Sequence, residues 1–253
     1  MKNKLALLSG ILCIGLVIAF IFYTGKDNQK KKGYTTTGFA MGTAVTVSVY
    51  SDQGRQDADA VIDCVSRLER EQISWRIEGA EVYRVNHEYK AGEPYEISYD
   101  LASAVLQEKE VSAAGDDLLA LTIRPLASCW GIEDGKKEVP ETQKIEEACS
   151  VVNDSKVHIV DEQGKELTQV SELSEDGTWY VLFDETGLSL DFGAMGKGIA
   201  CDRVAESLEE NQAEGACVAV GGSVLCYGAK PDGSGFAGNK LLSGWFRFPD
   251  RYS

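Results

Sequence analysis

One stretch, Leu188 to Leu208, constrains the fold of this chain more than any other. An apolar run ends on Asp191, and three glycines, Gly193, Gly196 and Gly198, follow with Lys197 among them. Ile199 or Ala200, Val204, Ala205 and Leu208 then recur at helical spacing between charged residues, which predicts an amphipathic helix. Its first turn falls at Gly196 to Ile199. Backbone N–H groups there have no intrahelical acceptor, and the helix dipole makes that end mildly positive. An anion such as a diphosphate fits such a place, held by the amides and Lys197, with glycine allowing close approach. The same glycines also suit a plain packing turn between strand and helix. Neither standard nucleotide loop is present. A Walker A motif needs four residues between its first glycine and Gly-Lys, with Ser or Thr next; here two residues separate Gly193 from Gly196, and Gly198 follows the lysine. The dinucleotide fingerprint lacks its third glycine at Ile199 to Cys201.

The amino-terminal part stands apart from the rest. Leu5 to Tyr23 carries no charge and follows Lys2 and Lys4; a run of that length spans a bilayer core of roughly 30 Å. Its bulky exit, Phe20 to Thr24, offers no small-x-small cleavage site, and Leu12 before Cys13 does not suit a lipoprotein signal. Residues 1–25 are therefore expected to be an uncleaved membrane anchor, followed by a polar tether over 26–38, with the folded part starting near Phe39. Lysines on both sides of the run leave its orientation open.

Every acid but Asp27 lies beyond residue 38 while six lysines lie before it, so the folded part, with 19 basic against 39 acidic residues, is more acidic than the formal net charge of −15 for the whole chain. Such a surface speaks against nucleic acid as a partner, because no basic patch displaces counterions from phosphates. The seven cysteines form no C-x-x-C pair and the chain has only two histidines. Zinc and a Ser or Cys protease triad are thereby disfavoured, and Cys64, Cys129, Cys149, Cys201, Cys217 and Cys226 are expected to be small buried apolar residues.

Along the folded part, Val45, Val47 and Val49 alternate with Thr46, Ser48 and Tyr50, the period of a half-buried strand. Ala58, Val61, Ile62, Val65 and Leu68 predict a helix from Asp57 to about Glu71. A second helix is expected over Leu101 to Ala113 with Asp100 as its cap. Glu133 to Asp176 reads as a charged, variable surface region, with a short helix at Thr142 to Cys149 and strand-like pairs at Val157 to Val160. Trp179 to Phe183 and Leu188 to Asp191 are apolar enough for buried strands. Ala216 to Tyr227 reads as two strands around Gly221 and Gly222, before a turn at Lys230 to Gly233.

Asp191 to Asp202 resembles the D-[LF]-G-[GA]-x-x-K-G-x-[AG]-x-D signature of the ApbE family, the FAD:protein FMN transferases. Further segments resemble that family in the expected order: Met41-Gly42-Thr43; Ser74-Trp75 through Asn86; Thr122 to Gly131; and Val220 to Ser223 with Lys230 to Gly233. One departure is Ala120, which stands where the family has an aspartate. The resemblance covers about Phe39 to Phe236 and implies an α+β fold of the ApbE type over 39–236, outside the cytoplasm. It also implies FAD as donor substrate, a Thr or Ser hydroxyl of an acceptor flavoprotein subunit as recipient of FMN, and Mg2+ as cofactor. By the same resemblance, Met41 and Trp75 bind the flavin, Asp191 and Lys197 the nucleotide side, and the Ala194 carbonyl ligates the metal, with Lys197 catalytic. As bare residues, Met41 and Trp75 equally suit packing. Residues 237–253 match neither the family's histidine segment nor the late Asp-Thr turn that supplies metal ligands, and a frameshift or premature stop is expected there. The alternative to a flavin transferase is a truncated, catalytically inactive, membrane-anchored flavin-binding module.

Overall fold

The computed structural model describes residues 33–115, 118–132, 135 and 138–236. The expected membrane run at Leu5 to Tyr23 and the tail from 237 lie outside them, and among the described residues no helix is long and apolar enough to cross a membrane.

The alternating valines form β2 (Thr43–Tyr50), with Val45, Val47 and Val49 fully buried. Before it runs β1 (Tyr34–Ala40), paired with β2 along its whole length. This corrects the expected tether to Gly38. Thr35, Thr36 and Thr37 are β-branched and favour extended backbone, and the Thr37–Thr46 and Thr35–Ser48 hydroxyls bond across the strands at 3.2 and 2.9 Å. Polar composition alone disguised a strand whose outer face is wet.

The first sheet is completed by β7 (Gly215–Val220) and β8 (Ser223–Gly228) in the antiparallel order β1-β2-β7-β8. The second holds β3 (Tyr95–Ile97), β4 (Val157–Asp161), β5 (Glu166–Leu167) and β6 (Trp179–Phe183) in the order β3-β6-β4-β5, also antiparallel. Among the described residues, six α-helices join them. α1 (Gly54–Arg67) packs on β1 and β2 and runs on as a π-helical turn, Leu68–Ile73. α2 (Glu81–Glu88) follows, then α3 (Tyr99–Ala114), the short α4 (Arg124–Trp130), α5 (Thr142–Ser150) and α6 (Gly196–Glu210). One apolar core joins both sheets through residues such as Val47, Val61, Leu106, Ile159, Phe183, Leu190 and Val218.

Three further expectations change. Ser98, not Asp100, caps α3: its hydroxyl accepts the Leu101 N–H at 3.1 Å. Asp100 instead sits in the first turn, where it accepts from Gln72 at 2.6 Å and from Arg203 of α6. The region Glu133 to Asp176 contributes to the core, with Val157, Ile159 and Leu167 buried. Leu188, Leu190 and Asp191 are buried, and their segment lies outside every strand, because its polar backbone is met by other partners. Asn86 of α2 donates to the Leu190 carbonyl at 2.9 Å and accepts the Leu190 N–H at 2.8 Å, and Asp191 N–H reaches the Leu121 carbonyl at 2.8 Å. The cysteines also differ from expectation: Cys64, Cys129, Cys201 and Cys217 are half-buried and Cys149 and Cys226 exposed.

Candidate functional site

Three loops converge on one cleft. The first is the two-residue turn between β1 and β2, where Met41 and Gly42 both adopt left-handed backbone, φ +53° and +68°. That conformation suits the twist of a tight hairpin, yet for a methionine it costs on the order of 1 kcal/mol. A 2.6 Å hydrogen bond from Met41 N–H to the Glu69 carboxylate holds it. The second loop leaves the π-helical turn at Ser74, whose hydroxyl accepts the N–H groups of Arg76 and Ile77 at 3.2 Å. The third is the glycine turn before α6. Met41, Glu69, Ile73, Trp75, Asp191, Gly196 and Lys197 line the cleft, which holds about 90 Å³.

The four residues expected to bind flavin and nucleotide, Met41, Trp75, Asp191 and Lys197, thus come together. Ala194 lies exposed in the same glycine turn. Gly196 packs against the Met41 and Ile73 side chains, so a Cβ there would stand 3.2 and 3.0 Å from them. The glycine is thereby part of what keeps Met41 at the cleft.

The start of α6 is electropositive in a specific way. Met195 gives no side-chain cap. Gly196 N–H bonds to the Phe192 carbonyl at 2.6 Å and Ile199 N–H to that of Met195 at 3.0 Å. The wider set of four free amides expected from the sequence therefore narrows to Lys197 and Gly198, which have no backbone acceptor among the described residues. Gly198 is exposed with open space where a side chain would be. No carboxylate pairs with Lys197 among the described residues. Asp191 is nearly buried, and its Oδ1 accepts the Gly193 N–H at 2.7 Å, which shapes the glycine turn from within.

Trp75 and Arg76 also line a second, larger cleft of about 430 Å³ with Tyr83, Asn86, His87, Arg124, Pro125, Ser128 and Ser189. Arg124, absent from the expected site, lays its guanidinium over the Trp75 ring at 3.2 Å, and Arg76 stands 5.2 Å from it. An aromatic face beside two arginines is stabilised by cation–π attraction. The variable position of T-[IV]-x-P carries Arg124, so motif matching passed over it; an arginine before the Pro-Leu that opens a helix was the available signal.

The loop bearing Ala120 is fastened by Asp154. Its carboxylate accepts Leu121 N–H at 2.7 Å, Thr122 N–H at 2.8 Å and the Thr122 hydroxyl at 2.6 Å. Since Leu121 in turn receives Asp191 N–H, the Asp154 clamp and the glycine turn form one hydrogen-bonded path. Under it, on α3, Glu108 is fully buried and neither of its oxygens has a partner among the described residues. Burial, then the charges of Asp154 and Asp191, push its carboxyl up to about 8.

A magnesium ion prefers six oxygen ligands, several of them waters. Among the described residues no group of three or more His, Cys, Asp or Glu is disposed to hold a metal. One Asp191 oxygen already serves the Gly193 amide. The residues present do not by themselves fit the ion.

The family model for the ApbE family matches residues 41–240. Curated relatives include an FAD:protein FMN transferase of Haemophilus influenzae, 23% identical over 90% of this chain and 62% of its own length. Another from Klebsiella pneumoniae is 28% identical over 77% of this chain and 56% of its own. Among solved structures, the apo flavinyl transferase ApbE of Pseudomonas stutzeri aligns with a TM-score of 0.65 at 23% identity, covering 80% of this chain and 60% of that one. The flavin transferase ApbE of Vibrio cholerae aligns with a TM-score of 0.66 at 20% identity, covering 80% and 62%. The chain thus spans less than two thirds of the length of these relatives and shares their mixed α+β fold. With the family model covering most of the folded part and the signature turn in register at Asp191 to Asp202, the chain belongs to the ApbE family.

Proposed function

We propose that this chain carries the flavin-nucleotide site of an FAD:protein FMN transferase. In this reading a Thr or Ser hydroxyl of an acceptor flavoprotein attacks the phosphorus of the FMN half of FAD. A new P–O bond forms, the bridging P–O bond breaks, AMP leaves with the bridging oxygen, and the hydroxyl proton is lost to solvent or a base. The observation that supports it is the convergence of Met41, Trp75, Asp191 and Lys197 at the start of α6, beside the unclaimed amides of Lys197 and Gly198. Phosphoryl transfer depends mainly on positioning and on neutralising charge that develops on phosphate oxygens. Lys197 and those amides would hold the diphosphate, and Asp191 would keep the turn in shape. Met41 would pack on the flavin, and the Trp75 ring would stack with it on the face that Arg124 leaves open. Mg2+ would need oxygen ligands beyond the Ala194 carbonyl. The uncharged run at Leu5 to Tyr23 supports placement of the domain at a membrane, outside the cytoplasm.

Incubating the protein with FAD, Mg2+ and an acceptor flavoprotein subunit tests the proposal. Covalent flavin fluorescence on the acceptor, lost in the Thr-to-Val acceptor, is the expected result. An unlabelled acceptor alongside saturable quenching of FAD fluorescence would overturn transfer by this chain and leave the flavin-binding module.

A further inference from the structure

The hairpin of β7 and β8 sets Cys217 directly opposite Cys226. Its loop consists of Gly221 and Gly222, between the paired Val220 and Ser223. Gly221 has φ +57° whereas Gly222 stays outside the left-handed region, the pattern of a two-residue loop with glycine at its first central position. Such a loop is closed by a hydrogen-bonded pair, here Val220 with Ser223. Pairs alternate along an antiparallel ladder, so Ala219–Val224 is non-hydrogen-bonded, Val218–Leu225 hydrogen-bonded, and Cys217–Cys226 non-hydrogen-bonded again. In pairs of that kind the Cα atoms approach to about 4.5 Å, within the span of about 4.4–6.8 Å that a disulfide bridges.

The side chains agree with the backbone. The Cys226 thiol adjoins that of Cys217, Cys217 half-buried and Cys226 exposed. Burial and the neighbouring Cys226 raise the Cys217 thiol, while Lys230 pulls it back down. Cys201, by contrast, is pushed up to about 11 by burial and then by the charge of Asp202. Neither member of the pair belongs to the flavin site.

We propose that Cys217 and Cys226 are a redox-active dithiol that closes to a cross-strand disulfide by exchange with small-molecule disulfides. The exposed Cys226 thiolate attacks one sulfur of the oxidant, forming a mixed disulfide and releasing one thiol. Cys217, having lost its proton, then attacks the Cys226 sulfur; the Cys217–Cys226 bond forms as the mixed disulfide breaks and a second thiol leaves. Two protein thiols are oxidised and one oxidant disulfide is reduced to two thiols. The bond fastens β8 to β7.

The test is equilibration of the full chain in mixtures of reduced and oxidised glutathione, quenching by alkylation, and mass mapping of the tryptic segment that carries both residues and no other cysteine. The expected result is loss of both alkylation sites together, with the mass lower by two hydrogens and no accumulated glutathione. Cys217→Ser, folded by circular dichroism, should instead accumulate one stable glutathione at Cys226. The proposal is overturned if the unmodified chain also accumulates glutathione at Cys226, if Cys226 links to a second copy, or if both thiols stay alkylatable throughout.

Discussion

At the scale of single residues, Glu108 shows how burial redirects a charge. A carboxyl without a hydrogen-bond partner among the described residues, fully buried and facing the fields of Asp154 and Asp191, is held as the neutral acid. Its folded value of about 8 lies above the ordinary 4.5. The native state therefore binds the proton over a range in which the unfolded chain has lost it, so stability falls as pH rises from about 4.5 to about 8. Glu108→Gln removes that slope. Between pH 5 and 8 the stability of wild type relative to the variant is expected to drop by up to ~4 kcal/mol, as followed by urea unfolding. Parallel curves would show that Glu108 is ionised in the fold. Helical spacing with Leu101, Ala104 and Val105 places this residue on the inner face of α3, but which carboxylates meet there depends on tertiary contact. Met41 is the opposite case. Its motif marked the position, and the structure adds the cause, a left-handed turn fastened to Glu69.

Among the elements, α6 carries the argument. Its periodicity and its glycine start were both legible, because Ile199, Ala200, Val204, Ala205 and Leu208 are the buried face that the spacing requires. The number of free amides was not, since acceptors at Phe192 and Met195 come from a turn whose path only the fold defines. Gly198 separates the two readings of those glycines. Its site has room for a Cβ, so Gly198→Ala is expected to stabilise the chain by ~0.5–1 kcal/mol, as alanine does in place of glycine within helices. If an anion approaches this backbone, the same change weakens FAD binding several-fold while raising Tm. A higher Tm with unaltered FAD affinity would make the glycine a packing feature alone. β1 was missed for a different reason: its threonines look like linker, and only pairing to β2 reveals them as strand.

For the molecule as a whole, the two sheets and the helices between them act as a frame that brings distant segments to one edge of α6. Arg203 of α6 and Asp100 of α3 tie the frame across that edge, with Gln72 of the π-helical turn on the same carboxylate. The α+β class and the order of motifs were readable from the chain; the second cleft and its arginine were not, because Arg124 meets Trp75 only after α4 folds back. On the proposed reading, the flavin and diphosphate ends of the cleft are separable. The most direct measurement is a paired fluorescence titration of FAD and of riboflavin against wild type and Lys197→Gln. A single charge-assisted contact to phosphate is worth roughly 1.5–3 kcal/mol, so the variant should bind FAD at least tenfold more weakly and riboflavin as wild type does. Equal affinity of both proteins for FAD would contradict the placement of the diphosphate at the start of α6, and with it the account of this site.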